Sequence, residues 1–294
     1  MSIRLTTWNI NSVRLRLDLL RQLAEIQAPD VICLQETKVM DELFPHGAVE
    51  ALGYPYQAIY GMKGYNGVAI LSKLPLGPAG RRDWCGRRDA RHVFATLPGG
   101  VELHNLYVPA GGDLPDPEAN EKFAHKLQFL NELEAWLKDE ARAAVPARSP
   151  KAAKGAKGAK AVGAAVTPGA GGRILVGDLN IAPLEADVWS HKQLLSVVSH
   201  TPVEVEHLTR CQAAYDWVDA VRHFIPEPEQ VFTWWSYRNR DWAKSDRGRR
   251  LDHIWVSPEL APALAGAEIL REARDWQKPS DHVPVTVTLD LPRV

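Results

Sequence analysis

Cysteine is scarce in this chain, which has 3 cysteines among 294 residues. Cys33, Cys85 and Cys211 show no CxxC spacing and have no histidine cluster beside them. This pattern argues against a disulfide framework and against a structural zinc site. We therefore expect a protein of the reducing cytoplasm.

Long hydrophobic runs are also missing. No apolar run approaches the ~18 residues that a membrane span requires. The first residues, MSIRLTTWNI, lack the apolar stretch and the cleavage site of a signal peptide. We expect a soluble, unprocessed protein with no membrane partner.

Neither sign of charge dominates, because 35 Lys and Arg stand against 36 Asp and Glu, for a net charge of -1. The local exception is the Ala/Lys/Gly-rich stretch 141–172, which carries six basic residues and no acidic one. Such a composition cannot build a hydrophobic core. We predict one domain over 1–294 with a flexible insertion at about 141–172, a passive linker in preference to a DNA tether.

Apolar residues recur with a helical period in three segments and form strand-like runs in ten. The predicted helices are 14–28, 118–138 and 215–224, the second with an apolar face of Phe123, Leu127, Leu130, Leu133 and Leu137. The predicted strands are 4–10, 31–34, 56–60, 68–71, 92–97, 101–108, 173–176, 231–235, 251–256 and 283–289. Many short strands with intermittent helices indicate an α/β sandwich, with two sheets packed face to face and helices outside.

Polar side chains stand at the ends of several of these strands. The five clusters are Trp8-Asn9-Ile10-Asn11, Leu34-Gln35-Glu36-Thr37-Lys38, Val176-Gly177-Asp178-Leu179-Asn180, Arg250-Leu251-Asp252-His253 and Pro279-Ser280-Asp281-His282-Val283-Pro284. Strand ends hold binding residues rigidly while leaving them accessible. We therefore expect these clusters to converge on one site.

The clusters contain Glu, Asp, Asn and His without cysteine, a set that favours Mg²⁺ or Mn²⁺ over zinc. Glu36 directly follows an apolar strand, where a carboxylate needs a cation or hydrogen-bond donors. A second carboxylate can activate water, and a histidine held by a third can polarise a phosphoryl oxygen. Together these groups predict phosphodiester hydrolysis.

Eight ordered motifs carry a family resemblance over nearly the whole chain. They are WNIN from Trp8, LQETK from Leu34, GYNGVAILS from Gly64, LYVP from Leu106, GDLNIAP from Gly177, FTWWSYR from Phe232, RRLDHIW from Arg249 and KPSDHVPV from Lys278. With these motifs the chain resembles the exonuclease III type AP endonucleases of the endonuclease/exonuclease/phosphatase superfamily. The resemblance implies a four-layer α/β/β/α sandwich, with two packed mixed sheets flanked by helices and the active site at one edge of the sheets.

The resemblance also implies a metal site. Glu36 matches the principal Mg²⁺ carboxylate, with Asn11 and Asp281 near the ion and Lys38 bracing this cluster. Mn²⁺ is the expected substitute for Mg²⁺.

The groups implied to act on the phosphate and on the attacking water are Asn9, Tyr107, Asp178, Asn180, Asp252 and His282. Asp178 would orient or deprotonate the water, with the two asparagines beside it. Tyr107 would hydrogen-bond the scissile phosphate. His282 would polarise that phosphate, and Asp252 would fix its tautomer.

The substrate implied by the resemblance is duplex DNA with abasic sites or blocked 3′ ends. The expected activities are incision 5′ to the abasic site, 3′ to 5′ exonuclease and 3′ phosphodiesterase. Trp234 and Leu251 match residues that line the pocket for the extruded sugar, with core packing as the rival interpretation, and Tyr65 matches a contact to the DNA backbone. A monomer acting on the bacterial nucleoid is expected. Ala110 and Asp113 depart from the family pattern, so lesion contacts there should differ.

The rival enzyme is a less specific deoxyribonuclease or another phosphodiesterase of the superfamily. Such nucleases usually have a second catalytic histidine where this chain has Tyr107, and His104, three residues earlier, should point to the opposite face of its strand. A non-enzymatic DNA-binding scaffold is disfavoured, because the motif positions of Glu36, Asp178, Asn180 and His282 are all kept.

Overall fold

The apolar, β-branched segments of the sequence form two six-stranded mixed sheets that pack face to face. The fold was obtained as a computed structural model, and the structure describes residues 1–144, 171–239 and 241–291. The strands are β1 (Ser2–Asn9), β2 (Val31–Gln35), β3 (Tyr56–Tyr60), β4 (Val68–Ser72), β5 (Ala79–Arg81), β6 (His92–Thr96), β7 (Glu102–Tyr107), β8 (Arg173–Asp178), β9 (Val218–Asp219), β10 (Trp234–Trp235), β11 (Gly248–Arg249), β12 (Asp252–Val256), β13 (Leu264–Ile269) and β14 (Val285–Asp290). The helices are α1 (Leu17–Gln27), α2 (His46–Ala51), α3 (Glu121–Ala144), α4 (His191–Leu194), α5 (Pro202–Ala213), α6 (Ala220–Phe224) and α7 (Trp242–Ser245).

One sheet has the strand order β13-β14-β1-β2-β4-β3 and the other has the order β5-β6-β7-β8-β12-β9. Within each sheet a single central pair is parallel, β1 with β2 and β7 with β8, and the remaining pairs are antiparallel. β10 and β11 form a separate two-stranded ribbon. The carboxyl ends of the two parallel pairs are therefore available to present side chains at the sheet edges.

Three apolar layers hold the fold together. The inner layer lies between the sheets and includes Leu5, Ile70, Leu103 and Val176. A second cluster packs α1 and α2 on the outside of the first sheet, and a third packs α3 and α5 on the outside of the second. The arrangement confirms the predicted four-layer α/β/β/α sandwich. Burial of this apolar area supplies the main stabilisation of the fold.

Three predicted elements differ from the observed ones. The helix predicted at 215–224 is reduced to α6, because residues 218–219 pair with β12 as β9. The strand predicted at 231–235 is reduced to β10, because the backbone NH of Val231 donates to Ala186 in a loop and no regular ladder forms before Trp234. Helix α3 runs to Ala144 and so reaches the predicted insertion at 141–172, of which residues 145–170 lie outside the described residues.

The buried face of α3 is wider than the predicted one, because it also includes His125, Lys126, Phe129 and Trp136. Lys126 is fully buried, whereas Leu127, assigned to the apolar face, is only half-buried. His104 lies on this outer face of its sheet, against Trp136 of α3 and 3.0 Å from His92, whereas Tyr107 belongs to the layer between the sheets. The expected opposition of His104 and Tyr107 is therefore observed. No helix among the described residues has both the length and the apolarity needed to cross a membrane.

Candidate active site

The polar clusters converge where the parallel strand pairs end. Asn9 and Gln35 are partners at the end of β1 and β2, and Tyr107 and Asp178 are partners at the end of β7 and β8. Asp252 opens β12 directly opposite Asp178. The two sheets face each other, so these strand ends meet in one place.

The last cluster joins the others through hydrogen bonds to β1. The hydroxyl of Ser280 donates to the carbonyl of Asn9 at 2.7 Å. The indole NH of Trp8 donates to the carbonyl of His282 at 3.0 Å. These bonds hold the segment before β14 against the end of β1, which places His282 beside Asp178 and Asp252.

Gly177 allows Asp178 to reach its position. Its φ angle is +142°, and a Cβ there would come within 1.9 Å of the carbonyl oxygen of Leu106 on β7. A side chain at this position would force the two strands apart. The glycine of the GDLN motif is therefore explained by the close approach of β7 and β8 next to the site.

Glu36 is held by three donors. Its Oε2 atom lies 2.7 Å from Nζ of Lys38, and its Oε1 atom accepts hydrogen bonds from Nδ2 of Asn9 at 3.0 Å and from the hydroxyl of Tyr107 at 2.8 Å. Burial favours the neutral carboxyl, but Lys38 and these donors hold the pKa of Glu36 below its usual value. Glu36 is therefore a carboxylate inside a cluster of donors.

A second group of oxygens lies beside Glu36. The ammonium of Lys38 donates to Oδ1 of Asn11 at 2.6 Å, and Nδ2 of Asn11 donates to Oδ1 of Asp281 at 3.2 Å. The other oxygen of Asp281 accepts from the indole NH of Trp234 at 2.9 Å. The oxygens of Glu36 and Asn11 thus already share one positive charge, and this all-oxygen set suits a hard divalent cation.

The backbone around this cluster is strained. Asn11, Glu36, Lys38 and Asn180 all have φ angles between +48° and +54°, in the left-handed region that side chains other than glycine rarely adopt. Such conformations persist only where the surrounding contacts impose them, and they concentrate at functional sites. Four of the thirteen non-glycine residues with positive φ in the described ranges thus lie at these strand ends.

The imidazole of His282 lies between two buried carboxylates. Its Nδ1 atom is 2.8 Å from Oδ2 of Asp252, and its Nε2 atom is 3.6 Å from Oδ2 of Asp178. Burial alone would lower the pKa of His282, but the two carboxylates raise it well above the ordinary value, so the ring is an imidazolium. Ligand atoms of these three residues lie within 4.8 Å of one another, a spacing that would also suit a metal ion.

Asp178 is fixed by amides on both oxygens. Oδ2 accepts from Nδ2 of Asn9 at 2.9 Å, and Oδ1 accepts from the backbone NH of Asn180 at 2.9 Å. Burial raises the pKa of Asp178 against the attraction of the His282 charge. Asn180 in turn donates its side-chain amide to the carbonyl of Val108 at 2.9 Å. A carboxylate with a raised pKa, held rigidly, is the form that a general base takes.

A cavity of about 940 Å³ opens beside this cluster. Glu36, Tyr107, Asp178, Asp281 and His282 line one part of it. The remaining walls include Ala110, Asp113, Trp189, Val197, Val198, Ser199, Trp234, Arg238, Arg247, Arg249 and Leu251. The predicted pocket residues Trp234 and Leu251 therefore both face the cavity. Tyr65 does not join the cluster and is 73% exposed on the surface.

A buried ion pair that the sequence motifs do not indicate lies behind the cavity. Lys126 and Glu204 are fully buried, and Nζ of Lys126 lies 2.5 Å from Oε1 of Glu204. The same ammonium donates to the carbonyl of Asn180 at 2.8 Å. In the sequence, the only indication of this pair is that Lys126 occupies a core position of an amphipathic helix.

A second missed group lies at the rim. The hydroxyl of Tyr237 donates to the carbonyl of Pro279 at 2.9 Å and accepts from Arg16 at 3.0 Å and from Asn11 at 3.3 Å. The tyrosine is the sixth residue of the FTWWSYR motif, but nothing in the sequence connects it to Arg16. These contacts tie the loop before β14 to the end of β1.

Similarity to known proteins extends over almost the whole chain. The sequence pattern of the Endonuclease/Exonuclease/phosphatase family matches residues 6–282. Exodeoxyribonuclease III of Haemophilus influenzae is 31% identical over 297 aligned positions, which cover 96% of this chain and 98% of that protein. An exodeoxyribonuclease of Bacillus subtilis is 27% identical, and the alignment covers all of that protein and 98% of this chain.

Two solved structures are similar to the fold. The Neisseria 3′ phosphatase NExo bound to a product DNA hairpin has a TM-score of 0.81 at 30% identity, covering 98% of this chain and 99% of that one. An AP endonuclease from Archaeoglobus fulgidus also has a TM-score of 0.81, at 27% identity, covering 98% of this chain and all of that one.

Proposed function

The chain belongs to the endonuclease/exonuclease/phosphatase family, and we propose that it is a divalent-metal-dependent DNA repair nuclease. Its substrates are duplex DNA with abasic sites, cut 5′ to the lesion, and DNA with blocked 3′ ends, with 3′ to 5′ exonuclease as a companion activity. The observation that carries the proposal is the position of Asp178, which is buried between Asn9 and the His282 imidazolium and faces the cavity shared with Glu36.

The phosphate would lie between Tyr107 and His282, beside Asn9, whose two amide hydrogens bind Glu36 and Asp178. Tyr107 stays a neutral phenol, because burial and the charges of Glu36 and Asp178 raise its pKa well above the usual value. Its hydroxyl hydrogen, which binds Glu36 in the structure, would turn to a phosphate oxygen, and the imidazolium of His282 would donate from Nε2. Donors placed around the non-bridging oxygens stabilise the charge that develops there more in the transition state than in the ground state.

Asp178 would position the attacking water and accept its proton. The raised pKa of Asp178 lies closer to neutral pH than the pKa of an exposed aspartate, and this favours proton acceptance. Asn9 and the backbone NH of Asn180 hold both of its oxygens, so the carboxylate cannot rotate away from the water. The new P–O bond forms as the bond to the leaving 3′ oxygen breaks.

The metal would be held by Glu36, with Asn11 and Asp281 directly or through water. When bound there, Mg²⁺, or Mn²⁺ in its place, supplies positive charge that polarises a phosphoryl oxygen. Lys38 would brace these oxygens through its contacts to Glu36 and Asn11.

Lesion selection would come from the apolar part of the cavity. Trp234 and Leu251 would receive an extruded deoxyribose that lacks its base, and a lesion already unstacked costs less to extrude. Tyr65, exposed on the loop before β4, would contact the DNA backbone. We also propose that the protein is a cytoplasmic monomer that acts on the nucleoid. It would form a single domain in which segment 141–172 is a passive linker.

The proposal is tested by incision of a labelled duplex that carries one tetrahydrofuran abasic analogue. The reactions contain Mg²⁺ or EDTA, and the Asp178→Asn variant is measured beside the wild type. We expect metal-dependent cleavage 5′ to the analogue by the wild type and a loss of roughly 10² to 10⁴ in rate for the variant. Equal internal cutting of an intact control duplex would instead support a less specific deoxyribonuclease of the same family.

A further inference from the structure

Arg249 brings a positive charge into the wall of the cavity. Its Nη1 atom donates to the carbonyl of Val198 at 2.9 Å and to the hydroxyl of Ser199 at 2.7 Å. Its guanidinium carbon lies 5.2 Å from the ring centroid of Trp234. The head group is therefore fixed in orientation by two acceptors and by one aromatic face.

This charge has no carboxylate partner within salt-bridge distance among residues 1–144, 171–239 and 241–291. Its Nε atom is buried, and no hydrogen-bond acceptor in the same ranges reaches it. The neighbouring Arg250 is the contrast, since it binds Asp187 and Asp219 at 2.6 Å. Burial lowers the pKa of Arg249, with the attraction of Glu204 as the opposing influence. A partly buried guanidinium of this kind gains free energy from an anion.

The acceptors of Arg249 are themselves held by buried groups. The backbone NH of Ser199, where φ is +86°, donates to the carboxylate of Glu204 at 2.9 Å. Glu204 is paired with Lys126. The loop that orients Arg249 is thus anchored to the core, so little conformational freedom is lost when an anion binds.

The rest of this wall is also basic. Arg247 lies over Trp189, with its guanidinium carbon 4.7 Å from the ring centroid, and it lines the cavity together with Arg238. The carboxylates Glu36, Asp178 and Asp281 line the cavity as well, and so does the exposed Asp113. The cavity therefore offers an acidic group of residues for a metal and a basic group for an anion.

Strand pairing gives the separation between Arg249 and the catalytic histidine. Trp234 is paired with Arg249 on one side and with His282 on the other. Two strand spacings amount to roughly 10 Å between the backbones of Arg249 and His282. Trp234 thus stands between the cation and the reacting phosphate, where the extruded sugar would pack.

We propose that Arg249 binds the phosphate on the 3′ side of the extruded abasic deoxyribose. This inference rests on the proposed function, in which the reacting phosphate lies on the 5′ side of the same sugar. The lesion is then recognised by its two phosphates as well as by its missing base. Arg249 is a specificity-determining residue for an internal abasic site, whose 3′ phosphate is present, over a blocked 3′ terminus, where that phosphate is missing.

The test pairs a protein change with a change in the DNA. Duplexes carry one tetrahydrofuran analogue followed by either a phosphodiester or an uncharged methylphosphonate. Wild type and Arg249→Gln are compared by kcat/KM for incision and by Kd in EDTA. Arg87→Gln is the control, because Arg87 forms an exposed ion pair with Glu121 away from the cavity.

We expect the methylphosphonate to weaken the wild type and the Arg87→Gln variant about tenfold. Arg249→Gln should lose about tenfold on the normal duplex and little more on the methylphosphonate, since the interaction is then already absent. Equal methylphosphonate effects with and without Arg249 would overturn the inference.

The two readouts separate this inference from the proposed function. If the tetrahydrofuran duplex is incised but the methylphosphonate effect is the same with and without Arg249, the proposed function stands and the inference is wrong. If the methylphosphonate effect on Kd depends on Arg249 but the analogue is not incised, the anion site is supported and the proposed activity is wrong. A methylphosphonate placed two linkages further along should show no coupling, and equal coupling there would also count against the inference.

Discussion

The Nδ1 atom of His282 lies 2.8 Å from Oδ2 of Asp252, and both side chains are buried. The same carboxylate oxygen accepts a hydrogen bond from the hydroxyl of Thr233 at 2.6 Å. Asp252 therefore stabilises the positive charge of the ring and fixes its plane, which leaves Nε2 directed to Asp178. A carboxylate and an imidazole arranged in this way act as a unit.

Replacing Asp252 with Asn should remove the negative charge beside His282 while keeping the shape of the side chain. The amide fills the same space but no longer holds the positive charge on His282. We expect the incision rate under single-turnover conditions to fall roughly 10² to 10⁴-fold. The Thr233→Ser variant is the matched control, because it keeps the carboxylate, its hydroxyl partner and the acceptor for the backbone NH groups of Leu251 and Asp252, and it should lose much less. Full activity in Asp252→Asn would contradict the role assigned to the pair.

Glu36→Gln should weaken metal binding. The amide keeps one oxygen but loses the negative charge that a divalent cation requires. The Mg²⁺ concentration that gives half-maximal incision should rise about tenfold or more. A Mg²⁺ titration of the tetrahydrofuran duplex measures this, with Glu102→Gln as the control, because Glu102 begins β7 and pairs with Arg173. An unchanged titration midpoint would place the ion elsewhere, with the group of Asp178, Asp252 and His282 as the next position to examine.

Lys126→Met should destabilise the whole fold. It leaves Glu204 buried without its cation, and breaking a buried pair from one side costs about 3 to 5 kcal/mol. The double variant Lys126→Met with Glu204→Gln removes both charges and should recover part of this loss. Urea denaturation monitored by tryptophan fluorescence measures the wild type, the single variants Lys126→Met and Glu204→Gln, and the double variant. If the double variant is destabilised by the full sum of the two single effects, the pair is not coupled.

The buried neutral imidazole of His253 should contribute a loss of stability in mild acid. Burial and the charge of Arg250 lower the pKa of His253 to about 4. Between pH 6.5 and pH 4 the unfolded chain therefore binds a proton that the folded chain does not, so stability is lost as the pH falls through this window. The contribution of this group is about 3 kcal/mol.

Urea denaturation at pH 7.5, 6, 5 and 4.5 measures the effect. The His253→Gln variant keeps an amide donor for the carbonyl of Ile181 and should show a shallower fall with pH than the wild type. His223→Gln is the control, since His223 is exposed. An identical pH dependence in His253→Gln and wild type would show that other groups set the acid sensitivity. His92, whose pKa burial also lowers well below its usual value, is the next candidate.

The sequence patterns that predicted the site were all local. Glu36, Asp178 and His282 each follow or precede a short apolar strand, and strand ends at one sheet edge meet whatever the lengths of the intervening loops. The outline of the sandwich was predictable for the same reason, because alternation and apolar runs identify strands without tertiary information.

Other parts of the site depend on contacts that no local pattern encodes. Arg249 and Arg250 are adjacent and chemically identical, yet one faces the cavity and the other is buried between Asp187 and Asp219. The pairing of β11 with β10 determines which of the two arginines faces the cavity. Lys126 and Glu204 lie 78 positions apart and meet because α3 packs on α5. The strand predicted at 231–235 was too long because its apolar residues pack against loops rather than in a ladder.

The order of the strands has a consequence for synthesis of the protein on the ribosome. β1 is made first but lies between β2 and β14, and β14 is made last. The loop that carries Asp281 and His282 lies directly before β14, and the pairing of β14 with β1 helps to hold it beside the end of β1. The strand ends that carry Glu36 and Asp178 are therefore made before the segment that completes the site. We expect a translation product that stops short of β14 to lack this anchor and to incise the tetrahydrofuran duplex more weakly than the chain that includes it.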